Sequence, residues 1–153
     1  MHNHEKWMRI ALEETAQAAE AGEIPVGAVV VDGEGNLLAR THNLSETNQL
    51  PTHHAEILAV EAACKAKGTW RLSDCTVYVT LEPCPMCMGA MIHARVKRIV
   101  FGAPDPRAGA CGSLIDLSDY ALEASPEILG GVLAKECIEP IRSFFKQTRK
   151  NKS

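Results

Sequence analysis

No apolar run in this 153-residue chain is long enough to cross a bilayer as a helix, so a helical membrane protein is excluded. Nothing repeats, no stretch has low complexity, and no linker of Pro, Gly or Ser divides the sequence. The expectation is one domain over residues 1–153, a length that allows a real core. An excess of positive charge is also lacking. A formal net charge of −3 argues against a protein that coats nucleic acid by bulk charge alone. The start "MHNHEKW" does not carry the pattern of a secretion signal, and a cytoplasmic protein is the expectation.

What positive charge there is collects at one end. Charged positions in residues 1–35 are mostly acidic, whereas Arg142, Lys146, Arg149, Lys150 and Lys152 close the chain with no acid among them. Such an end reads either as a solubilising tail or as a local phosphate-binding patch. Cys64, Cys75, Cys84, Cys87, Cys111 and Cys137 would suggest disulfides in a small secreted domain. In a reducing cytosol, metal binding or burial accounts for them better.

Apolar positions recur at helical spacing from Glu5 to Ala21, with Gly22 as a stop. "PVGAVVV" (Pro25–Val31) reads as a strand, and "LLARTHN" can return as its hairpin partner across the turn "DGEGN". A helix fits His54 to Lys67, ended by Gly68, and "CTVYVTL" (Cys75–Leu81) reads as a strand. "PMCMGAMIHAR" starts a helix with Pro85 at a favourable first position. "VKRIVFGA" is another strand, followed by the loop Ala103–Ser113 and helices around Glu127–Lys135 and Glu139–Lys150. The alternation implies an α/β fold, a mixed sheet with helices on both faces.

The strongest chemical signal is "EPCPMC", Glu82 to Cys87. A C-x-x-C at a helix start puts both sulfurs on one face, and the electropositive helix end stabilises the thiolates that zinc binds. A redox pair or two buried thiols are the other readings, although a redox pair normally follows the first strand of its fold. The second signal is "PTHHAEI" (Pro51–Ile57), where two histidines precede Glu56. Parallel strand–helix units bring helix starts to one end of a sheet, so a His and two Cys can meet there. Three protein ligands leave a fourth tetrahedral position for water, as in a catalytic zinc site. His53, Cys64 or Cys111 could complete a closed structural site, and spacing does not decide between them. Helical periodicity places His53, not His54, on the face of Glu56.

His54-Ala55-Glu56 followed by Pro83-Cys84-Pro85-Met86-Cys87 resembles the zinc-dependent nucleobase deaminase signature H-x-E…P-C-x-x-C. With "PVGAVVV", "PTHHAEI" and "VTLEPCPMCMGAMIHARVKRIVFGAPDPRAGACGS", the chain resembles the bacterial tRNA-specific adenosine deaminases from Trp7 to about Lys150. The resemblance implies a three-layer α/β/α cytidine-deaminase-like fold with a central mixed five-stranded sheet. It implies one Zn2+ per subunit held by His54, Cys84 and Cys87, with Glu56 as proton shuttle. The implied reaction is adenosine to inosine at the wobble position of a tRNA anticodon stem-loop, by a homodimer. Protons compete with zinc for such ligands, so activity should fall in acid.

Further positions carry over from the same resemblance. Asn43 matches a residue that contacts the target nucleotide; on its own it reads equally as a turn asparagine. Asp105 matches a position near the RNA backbone or a neighbouring sugar, where a carboxylate can accept a ribose 2′-OH. Phe144 and Phe145 read as core or as a base-stacking platform, and Arg149 and Lys150 as phosphate contacts. Met86, Met88, Met91 and Ile92 are expected in the core, part of that face serving a dimer contact. Cys64, Cys75 and Cys137 read as buried thiols, and Trp7 and Trp70 as packing residues. His2, His4, His42 and His93 have no ligand spacing. His53 stands where relatives often carry a small residue, which would allow a second metal contact, and Cys111 would be a redox-sensitive thiol near the site. A free-base deaminase acting on guanine or cytosine is the nearest rival. The Ala103–Ser113 loop and the basic last helix favour RNA over it. A non-catalytic, zinc-stabilised RNA-binding module is the rival of another class.

Overall fold

The computed structural model describes residues 3–120, 122 and 124–151. Asn3 opens the first helix, α1 (His4–Glu20), its side-chain oxygen accepting the Lys6 amide at 3.2 Å. The β-branched run that follows forms β1 (Gly27–Val31). Asp32 then folds the turn back by accepting the amides of Glu34 and Asn36, which delivers β2 (Leu37–His42) antiparallel to β1. A single helical turn, α2 (Ser45–Asn48), precedes α3 (Ala55–Lys67). Gly68 ends α3 at φ 71°, a left-handed conformation that its missing Cβ allows. Then come β3 (Thr76–Leu81), α4 (Pro85–His93), β4 (Arg98–Ala103), β5 (Glu127–Leu129) and α5 (Ala134–Asn151).

The five strands form one mixed sheet in the order β2-β1-β3-β4-β5. β1 runs antiparallel to both β2 and β3, while β3, β4 and β5 are parallel. Side chains alternate across a strand, so each strand feeds two cores. Ala28, Val30, Val77, Val79 and Ile99 pack on Ala59 and Ala63 of α3 and Met88 and Met91 of α4. Val29, Val31, Tyr78 and Val100 pack on Met8 and Ala11 of α1 and Cys137 of α5. The expected three-layer α/β/α arrangement is therefore present. Among the described residues, no helix is long and apolar enough to cross a membrane.

α1 lies so close to the sheet that only glycine fits beneath it. A Cβ at Gly27 would collide with the Ala11 carbonyl oxygen and sit 2.9 Å from Cβ of Glu14. Gly27→Ala is therefore expected to cost about 1–3 kcal/mol, read as a lower urea or thermal midpoint.

Four sequence expectations are corrected. Residues 127–129 are a strand, not the start of a helix, and the last helix begins at Ala134 and runs through Pro140. Trp70 is exposed, with the guanidinium of Arg71 4.8 Å from its ring centroid and that of Arg95 5.9 Å away. Met86 is exposed, unlike Met88, Met91 and Ile92, which are core. Cys64 is only half-buried, whereas Cys75 and Cys137 are buried. Trp7 does pack, half-buried against the core under α1. His4 meets the Tyr78 hydroxyl at 2.8 Å and His42 meets Glu14 at 3.0 Å. His2 and Lys152 lie outside the described residues.

Candidate active site

Two helix starts meet at one edge of the sheet. β2 and β3 each run antiparallel to β1, so they point the same way and end at the same edge. β1 lies between the two strands, so the units they lead are not adjacent in the sheet. His54 is the N-cap of α3 (φ −72°, ψ 155°) and Cys84 the N-cap of α4 (φ −78°, ψ 171°). Both are extended, and neither side chain caps its own helix. Their side chains are thereby left free to face across the gap between the two helices. Periodicity favoured His53 only because it assumed a regular helix through residue 53.

His54 Nδ1 lies 3.7 Å from Cys84 Sγ and 3.5 Å from Cys87 Sγ. All three donor atoms fall within 4.8 Å of one another, and among the described residues they are the cluster able to hold a metal. Tetrahedral zinc with Zn–N about 2.0–2.1 Å and Zn–S about 2.3 Å separates N and S by about 3.6 Å along an edge. The observed spacing fits that ion. His53 takes no part: its Nδ1 accepts from Asn48 Nδ2 at 2.9 Å, and its carbonyl accepts from Leu44. Cys111 donates to Met88 Sδ at 3.4 Å, and burial pushes its thiol up to about 12, a setting that disfavours the reactive thiolate.

Electrostatics divides the two thiols. A hydrogen bond from Cys87 is the main reason that the Cys84 thiol is held down at about 4, and the partner His54 adds to it. Cys87, the donor, is raised. His54 is raised through its contact with Cys84. Glu56, in the first turn of α3, is buried, and that burial pushes its carboxyl up to about 7. A group that takes and gives protons serves best with its pKa near the working pH.

Two connected cavities open from this point. An inner chamber of about 180 Å³ is walled by Val26, Asn43, His54, Glu56, Cys84 and Asp105 among others. An outer groove of about 960 Å³ shares Ile24, Asn43 and His54 with it and extends to Phe144, Gln147 and Thr148 on α5. Asn43 and Asp105 thus both reach the site, on opposite loops. Asn43 Oδ1 accepts from the Ser45 amide and hydroxyl at 3.3 and 3.1 Å, and Asp105 Oδ1 accepts from Arg107 N at 3.0 Å. Phe144 lines the groove, half-buried, with exposed Phe145 against it edge-on at 5.7 Å between centroids. The expectation of a core position is corrected for both rings. Arg149 and Lys150 are exposed on the last turn of α5 and do not line the groove.

Two buried carboxylates escaped the sequence reading. Glu23 accepts the amides of Glu46 and Thr47 and the Thr47 hydroxyl at 3.0, 2.6 and 2.6 Å. Glu82 accepts the amides of Asp105, Cys111 and Ser113 at 3.0, 2.9 and 3.1 Å, and the Ser113 hydroxyl as well. Burial alone would raise both carboxyls, yet these hydrogen bonds outweigh it and hold both below the usual range. The one available signal was Glu82's place at the head of "EPCPMC".

The fold and the donor set together define a deaminase, and residues 2–136 match the family model described as MafB19-like deaminase. The chain is 47% identical to the tRNA-specific adenosine deaminase of Bacillus subtilis, over 99% of this chain and 94% of that one. A solved tRNA:A34 deaminase, of the kind that edits A to I at the wobble position, is 36% identical with a TM-score of 0.81, over 88% of this chain and 98% of that one. A guanine deaminase structure from Bacillus subtilis is 32% identical with a TM-score of 0.65, over 95% of each chain. The chain belongs to the MafB19-like deaminase family and, by its near full-length identity, to the tRNA-specific adenosine deaminases within reach of that model.

Proposed function

We propose that this protein, as a single deaminase domain, hydrolyses adenosine to inosine at the wobble position of a tRNA anticodon loop. The observation that carries the reading is a cluster of three donors at tetrahedral spacing, two of them on the wall of the inner chamber, beside a buried carboxyl raised towards neutrality. His54, Cys84 and Cys87 would hold one Zn2+ per subunit. Bound there, zinc is a Lewis acid that makes water nucleophilic near neutral pH. Glu56 would take one proton from the attacking water and pass it to ring N1 of adenine, then take the second from the new C6 hydroxyl and deliver it to the amine leaving C6. Water supplies the new oxygen, ammonia departs, and the carboxylate is restored.

The two cavities suit a splayed nucleotide, with one base in the small chamber and its neighbours in the groove. Asn43 would hold the target nucleotide and Asp105 would accept a neighbouring 2′-OH, which favours RNA over DNA. Phe144, supported by Phe145, would stack a flanking base, and Arg149 and Lys150 would meet phosphates. We place the protein in the cytoplasm as a homodimer. The test is incubation of purified protein with an anticodon stem-loop and, separately, with free adenine, guanine and cytosine. Mass spectrometry of the stem-loop should show the small mass gain of an amine replaced by oxygen. Turnover confined to free guanine would overturn the reading, and the likeness to the guanine deaminase makes that arm necessary. No turnover on any of them would leave a zinc-stabilised RNA-binding module.

A further inference from the structure

Between β4 and β5 the described residues form no long helix or strand, yet Asp105 and Ala108 on this loop form one wall of the inner chamber. Backbone bonds pin the loop at a few points: the amide of Gly109 to the Asp105 carbonyl at 2.8 Å, and that of Ala110 to the Pro83 carbonyl at 2.8 Å. Three further amides of the loop, those of Asp105, Cys111 and Ser113, all end on the carboxylate of Glu82, as does the Ser113 hydroxyl. Glu82 itself is 2% exposed and anchored on the sheet, its amide donating to the Ala103 carbonyl at 2.8 Å. The loop closes tightly on it, since a Cβ at Gly109 would run into the same carboxylate.

We propose that Glu82 is a positioning residue for deamination, a buried post that holds the Asp105–Ser113 loop as a wall of the substrate chamber. The proposal rests on the reading of that chamber as the RNA-base site. Its physical basis is a count of donors and acceptors. Four donors converge on two oxygens, and only a group without hydrogens of its own satisfies them all. Glutamine has almost the same volume but offers one oxygen and an amino group, which would face backbone N–H groups and leave donors buried without a partner. Aspartate keeps both oxygens and loses one methylene of reach.

The two variants therefore separate a charge-bearing clamp from a space-filling residue. For the clamp, Glu82→Gln should raise KM for the anticodon stem-loop by about tenfold or more, with a smaller change in kcat, and Glu82→Asp should fall between it and the unaltered protein. Zinc content should be unchanged in both. Amide hydrogen exchange should accelerate in residues 103–113 of Glu82→Gln, in the same order across the variants. For a space-filler the order reverses, with glutamine harmless and aspartate damaging. A Glu82→Gln protein with normal KM and normal loop exchange would overturn the proposal. Exchange and stem-loop affinity can be read without turnover. If the unaltered protein fails to deaminate the stem-loop, the function reading falls while the clamp is still judged on those two measurements.

Discussion

Glu56→Gln is expected to reduce deamination of the stem-loop by roughly 10²–10⁴-fold while zinc content and stem-loop affinity stay close to those of the unaltered protein. The substitution keeps the volume of a residue that is buried and touches the chamber. It removes only the ability to exchange a proton. Glu56 stands outside the cluster of metal donors, so the metal should be retained. Burial has raised its carboxyl to about 7, which favours a role in accepting and returning protons near neutral pH. The measurement is single-turnover mass spectrometry of the stem-loop beside metal analysis and a binding isotherm. Unchanged turnover would sink the role given to Glu56.

Cys87→Ala should lose zinc by more than the roughly 10- to 100-fold in affinity that loss of an outer-shell partner costs, and activity should fall to background with it. Cys87 is fully buried at the start of α4, and its sulfur is 3.5 Å from His54 Nδ1. Without it, two donors remain to hold the ion. The loss has a second effect. A ligand that binds only the folded chain stabilises it by mass action, so a zinc held between α3 and α4 ties two segments that the sequence separates by 30 residues. Prolonged chelation of the unaltered protein should lower its melting temperature, and zinc should restore both melting temperature and turnover. Cys87→Ala should show the lowered melting temperature from the start and no response to zinc. A variant that keeps stoichiometric zinc would refute the ligand set.

Much of the fold could be read from local pattern because local pattern decided it. The β-branched runs became β1, β3 and β4, and Gly68 ended α3. β5 could not be read that way. Ile128, Leu129, Val132 and Leu133 carry a spacing that a helix also satisfies, and what selects a strand is pairing with β4, a contact distant in sequence. Gly130 adds to it, since a Cβ there would strike the Phe101 ring. At the site, composition and signature pointed to His54, Cys84, Cys87 and Glu56. The reason that His54 faces the sulfurs is a backbone fact, its N-cap conformation, which no residue count contains. Glu82 and Glu23 were hidden for the same reason. Their hydrogen bonds run to backbone amides 23 to 31 residues away, and a backbone amide has no signature in sequence.

The outer groove is built from the early part of the chain, up to His54, and the last helix. The match to the deaminase family model ends at residue 136, the third residue of α5, yet Phe144, Gln147 and Thr148 further along that helix form the far wall of the groove. His54, Glu56, Cys84 and Cys87 all lie before that limit. Asn43 and Asp105 precede that limit too, so the stretch beyond it contributes only the far wall of the groove. Substitutions along the second half of α5 are therefore expected to reshape one wall of the groove while leaving the three donors and Glu56 in place.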